Sequence, residues 1–412
     1  MVPMKGERSK HDERLDKRRI ELASFISFLM GFSQSVLAYV MSSYFKLASG
    51  TENVGAFYTV AYIIVLIALL NLHKLVRGIG KSNVFYVSLI IKLSAIAALI
   101  FAAPSRLGIF LLMIFVIAGN MEWVSLDVII ESFSTDKMSG RIRGLHLTVL
   151  NAGFLLGPFI STHILDQFNF QGIFIFAFIF NAFVLIFSLI GFRNVNHRFD
   201  QDLKVLDVIK KVVAQKNILR IYYISFVLEF FYALMIIYTP LYLLDLGFTW
   251  DKIGLIFTFM LIPFVLLQYP MGFLADKKTG EKEFLIFSIF IMGVSTLFIY
   301  FIGAAGIVFW SVALFATRIG AALIEILRDS YFYKKIDGHD VDMINFFRTS
   351  LPVAYIVATA MSSFILFIFP IKVAFILAGV VVLSALYPAV KLADSKSERE
   401  MIAEKRMEAA EA

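Results

Sequence analysis

Apolar stretches long enough to cross a bilayer follow one another almost without pause along this 412-residue chain. A hydrocarbon layer roughly 30 Å thick needs about 20 apolar residues per helix, and that rule predicts spans at 20–45, 52–72, 83–103, 107–133, 142–166 and 170–192. A charged segment follows, and spans at 218–244, 251–275, 283–303, 306–333, 342–368 and 371–391 complete the series. Since 59% of the residues are hydrophobic and only 17% charged, no soluble core could hold them. The reading is an all-α membrane protein of about twelve transmembrane helices.

The formal charge of +7 would suit a nucleic-acid partner if the basic residues were clustered on one domain. They mark topology instead. With both tails and the even-numbered connections on one side, 30 Lys and Arg fall there against four on the other, Lys46, Arg106, Lys252 and Lys372. That asymmetry predicts cytoplasmic termini in a multi-pass cell-membrane protein and no nucleic-acid partner. The first nineteen residues are charged and lack a signal peptide's short apolar region, so they are expected to be a retained cytoplasmic tail. No cysteine is present, which rules out thiolate metal sites and cysteine nucleophiles.

The chain divides into a tail (1–19), a six-helix half (20–192), a linker (193–217), a second six-helix half (218–391) and a second tail (392–412). Within the linker, 200–217 sets Leu and Val residues opposite Lys204, Lys210, Lys211 and Lys216 at helical spacing, an amphipathic helix for the inner surface. A shift of 198 positions brings Asp127 onto Glu325, Glu131 onto Asp329, Ser132 onto Ser330 and Gly140 onto Gly338. An acidic pair at four-residue spacing followed by Ser is hard to obtain by chance, so the halves are copies of one unit. Six spans per unit, an even number, give both copies the same orientation.

Between the eighth and ninth spans stands Gly272-Phe-Leu-Ala-Asp276-Lys-Lys-Thr-Gly280-Glu-Lys282. This resembles the loop signature of the major facilitator superfamily, Gly-x-Leu-Ala-Asp followed by basic residues and Gly. The first-half counterpart, Asn71 to Lys81, keeps basic residues and glycine but has Val76 in the acidic position. The resemblance implies two halves that rock about a central site, with Asp276 latching onto Arg141 and Arg143, reinforced by Glu131. A matching gate in the second half would use Glu325, Asp329 and Arg348, with Arg328 beside them.

Charged groups at mid-membrane depth are costly and therefore functional candidates. Gln34, Glu122, Glu229 and Arg318 lie halfway along spans one, four, seven and ten, the helices that line the cavity in the superfamily this chain resembles. Trp123 and Tyr232 flank the carboxylates with aromatic surface, surroundings in which a carboxylate can take up and release a proton. Arg318 stays charged at any physiological pH and suits a substrate carboxylate or phosphate, or neutralisation of one of the two Glu residues. Lys92, midway along span three, is expected to pair with Glu122. Gly153-x-x-x-Gly157-Pro158 in span five reads as close helix packing.

The expectation is a secondary carrier, proton-coupled or facilitative, moving a small organic solute by alternating access. It would work as a monomer in the lipid bilayer without cofactor or bound metal. Multidrug efflux and a non-transporting membrane sensor are the alternatives. An enzyme is not expected, because His146 and His163 lack a metal-ligand pattern and no acidic pair is matched to a nucleophile.

Overall fold

The computed structural model describes residues 17–131, 139–192, 205–275, 280–336 and 341–393, which are helical with no strand among them. The first half comprises α1 (Lys17–Ala38), α2 (Met41–Ser49), α3 (Gly55–Leu70), α4 (Leu72–Ile79), α5 (Lys81–Phe101), α6 (Arg106–Glu131) and α7 (Ser139–Gly191). The linker helix α8 (Val205–Ala214) follows. The second half comprises α9 (Lys216–Asp245), α10 (Trp250–Leu274), α11 (Lys282–Ile299), α12 (Ile307–Lys335), α13 (Val341–Arg348), α14 (Ser350–Leu366), α15 (Val373–Ser384) and α16 (Leu386–Val390).

Nine described helices are long and apolar enough to cross a membrane, ten if the bent pair α3 and α4 counts as one span. One of the nine, Leu147–Gly191, runs 45 residues, enough for two crossings at about 20 residues each. Asn169, at φ 55° and ψ −165°, makes the turn between them, a backbone conformation that L-residues rarely adopt. With α14, 17 residues long, the segments number about twelve.

The predicted loop at Asn71 to Lys81 is instead the short helix α4, bent 57° from α3 and stopped at Gly80, φ 87°. Leu72 and Val76 face inward while Leu75 and Ile79 face outward. The loss of an acidic residue at this copy of the signature has a packing reason. Val76 is 1% exposed, where a carboxylate would be desolvated without a partner.

Burial separates central helices from peripheral ones. The most apolar part of the first span is 78% buried and that of α9 72%, against 39% for α11 and 33% within Leu147–Gly191. Large apolar side chains on the outer faces, Phe101, Phe301, Val308, Phe364 and Phe367 among them, are exposed, as a lipid-facing rim requires. Glycines set the close approaches inside. A Cβ on Gly31 would overlap the Leu150 carbonyl, and one on Gly153 or Gly157 would overlap the Phe28 carbonyl or the Ser35 hydroxyl, so the fifth span lies tightly against the first.

Candidate functional site

Arg318, in the middle of α12, is 1% exposed. Its guanidinium lies 4.9 Å from the Phe231 ring centroid and 6.0 Å from that of Tyr232, both on α9. The polar groups acting on it are the hydroxyls of Tyr39, Tyr232 and Tyr355. Tyr39 reaches it because the first span breaks between α1 and α2. There Val40 N–H bonds to the Leu37 carbonyl, a tighter i to i+3 turn of the kind that marks functional positions within long helices. The Tyr39 ring also meets Phe257 at 4.9 Å. Among the described residues no carboxylate comes within ion-pair distance of Arg318, and its Nη1 has no hydrogen-bond partner.

The two mid-membrane glutamates are engaged elsewhere, so neither neutralises Arg318. Glu122 of α6 accepts from Lys92 Nζ of α5 at 2.9 Å, with both side chains almost wholly buried, and Lys92 also sits 5.4 Å above the Phe115 ring. Glu229 of α9 accepts from Arg328 Nη2 at 2.8 Å, while Arg328 Nη1 donates to the Ser225 hydroxyl at 2.8 Å. Gln34 is half-buried near Gly119 of α6. Trp123 points into helix packing, edge-on to Phe154 of α7 at 6.2 Å, and Tyr232 donates to Glu325 at 3.4 Å.

The halves meet on both sides of Arg318 through different chemistry. On the side carrying the termini, Arg348 at the end of α13 reaches Asp127 of α6 at 3.1 Å and Asp329 of α12 at 4.0 Å. Asn151 of α7 donates to Gln268 of α10 at 3.0 Å, and Gln268 donates to Glu325 at 2.9 Å. On the far side the Thr59 and Thr359 hydroxyls pair at 2.7 Å, the Tyr62 and Tyr355 rings stack at 4.1 Å, and Asn53 donates to the Ser363 carbonyl at 2.9 Å. Gly55 of α3 admits this contact, since a Cβ there would overlap Ser363 and Tyr238. Lys46 binds Asp245 at 3.2 Å at the rim.

A family model for the Major Facilitator Superfamily matches residues 23–253 and, a second time, 245–410. The chain belongs to the major facilitator superfamily. Its fold matches that of the human organic anion transporter MFSD10 (TETRAN), at a TM-score of 0.71 and 13% identity over 91% of this chain and 100% of that one. A bacterial homologue of the iron transporter ferroportin, in an outward-facing state with soaked iron, matches at 0.64 and 14% identity, over 90% and 98%. A second structure of a bacterial ferroportin homologue in an outward-facing state matches at 0.65 and 14%, over 91% and 99%. No curated protein matches by sequence. Among the described residues no three His, Asp or Glu come together as metal ligands.

Of the residues expected at the superfamily's loop signature, Asp276 lies outside the described residues, and so do the side chains of Glu131, Arg141 and Arg143. Gly272 packs against Ile326 of α12, and Gly280 takes φ 73° at the turn before α11. Beyond it Glu281 is buried and binds the Ser330 hydroxyl at 2.7 Å and Lys334 at 2.5 Å. Sequence reasoning passed over Asp127 as a gate partner, although its alignment with Glu325 in the repeat was a signal. It had no signal for Gln268, Asn151 or the Thr59–Thr359 pair, which are polar singletons on apolar helices.

Proposed function

We propose that this chain is a secondary carrier of a small organic solute, working by alternating access, with its termini in the cytoplasm of a cell membrane. The observation that carries the reading is the pair of seams. Above and below one buried arginine, the halves touch through contacts that can be broken one side at a time, and alternating access needs such contacts. The seam on the side of the termini would open the site inward and the Thr59–Thr359 seam outward. Glu122, Glu229 and Glu325 are the carboxylates available for proton coupling. Asp276 with Arg141 and Arg143 would add a latch on the cytoplasmic side.

The chain has no cysteine, so an introduced pair is its sole thiol chemistry. Thr59→Cys with Thr359→Cys, reconstituted in proteoliposomes, should form a disulfide on oxidation that abolishes solute flux, with flux returning on reduction. Undiminished flux through the cross-linked protein would sink alternating access at this seam. Absence of flux for every solute class, in reduced and wild-type protein alike, would favour the non-transporting sensor.

A further inference from the structure

Four basic residues lie well inside the spans predicted from the sequence, and three of them have acidic partners among the described residues. Lys92 is held by Glu122, Arg328 by Glu229, and Arg348 by Asp127 and Asp329. Among the described residues, tyrosine hydroxyls and aromatic rings surround Arg318, which is 1% exposed and whose Nη1 has no hydrogen-bond partner there. A buried charge without a counter-ion is strongly unfavourable. A helix would not retain one at this depth unless something else supplies the opposite charge.

We infer that Arg318 receives the single negative charge of a planar organic anion, an aromatic or conjugated monocarboxylate, and that this is the transported solute. The inference rests on the carrier reading above. A carboxylate matches the guanidinium's fork and can accept from Nη1, with the Tyr39 and Tyr232 hydroxyls beside it. One charge is the limit. Lys92, Arg328 and Arg348 are each neutralised by a carboxylate, and the neighbouring field at Tyr232 comes from Glu325 and Glu229 as well as from Arg328, so a second anionic group would meet repulsion. The body of the solute would lie among Phe231, Tyr232, Tyr39, Phe257 and Tyr355. Rings with this density favour a flat partner by offset or edge-on stacking over an aliphatic one.

The test is a ligand series titrated calorimetrically into the purified full chain in detergent, with benzoate, cyclohexanecarboxylate, phthalate and benzyl alcohol as probes. Benzoate should bind at least tenfold more tightly than phthalate or benzyl alcohol and several-fold more tightly than cyclohexanecarboxylate. Arg318→Gln should weaken benzoate at least tenfold while leaving benzyl alcohol unchanged, and Arg318→Lys should fall between. If Arg318→Gln fails to fold, the wild-type series decides alone. Benzoate binding no tighter than benzyl alcohol, or equal in wild type and Arg318→Gln, overturns the assignment. Binding does not depend on flux, so the two readings fail separately. Arg318-dependent benzoate binding without flux in vesicles would sink the carrier and keep the site. Flux of a neutral solute without anion binding would do the reverse.

Discussion

The two halves share one scaffold and place their charges differently. In the 198-residue register Glu229 stands opposite Gly31, Arg328 opposite Ile130 and Arg318 opposite Asn120. Where the second half carries an ion pair, the first half has a glycine that brings α1 against the Leu150 backbone. The reverse holds for Lys92 and Glu122, opposite Phe290 and Gly320, where a Cβ on Gly320 would overlap the Ser288 carbonyl. The crossing of spans three and four carries a buried charge pair, and its counterpart between spans nine and ten is closed by backbone contact. At Gly320 the absence of a Cβ lets the backbones meet and leaves no room for a buried ionic pair like that of Lys92 and Glu122. The second half adds, at mid-helix, Arg318, for which the described residues hold no carboxylate within ion-pair distance.

The contrast can be broken most severely at the first half's ion pair. Lys92→Met should lower stability by about 3–5 kcal/mol, the usual result of stranding one buried charge, whereas Lys92→Met with Glu122→Leu should recover most of it. Thermal unfolding in detergent reads both, and equal loss in single and double variants would mean that packing, not charge, is what the pair supplies. Importing bulk at the complementary position is the next largest change. Gly31→Ala should cost about 1–3 kcal/mol by overpacking against α7, checked by the same unfolding measurement. An effect near zero would mean that the first and fifth spans can move apart without penalty.

The seams offer finer tests, because they set a population rather than the fold. Asp127→Asn leaves Arg348 with Asp329 alone and should shift the balance toward an open inner side by about 1–2 kcal/mol, as expected for a partly buried charge-assisted bond. The readout is faster thiol labelling of a single cysteine introduced on the inner half of α6. Thr359→Val removes one neutral hydroxyl pair and should shift the balance the other way by about 0.5–1.5 kcal/mol. A cysteine placed at Ser363 would then label faster from outside. Equal effects of the two substitutions would erase the distinction between an ionic seam and a neutral one.

Much of the architecture was legible beforehand. The spans and the doubled unit follow from local composition, and the Lys92–Glu122 pair was foreseen from depth alone. Arg348 was placed with Asp329, but its contact with Asp127 and the partners of Arg318 and Glu229 were not foreseen. Several carboxylates lie at comparable depth, and sequence spacing does not specify how each helix is rotated about its axis or where it crosses its neighbours. Trp123 illustrates the same gap, since sequence position beside Glu122 did not show that its ring would lie edge-on to Phe154.

The amino-acid sequence alone determined that this chain is a bundle of membrane helices in two related halves. A bilayer tolerates no unpaired backbone, and that requirement writes itself into every 20-residue window. Tertiary structure alone decided which charges cancel. Ion pairing depends on side chains from helices far apart in the chain meeting within about 4 Å, and it was the outcome of those meetings that left Arg318 without a counter-ion among the described residues.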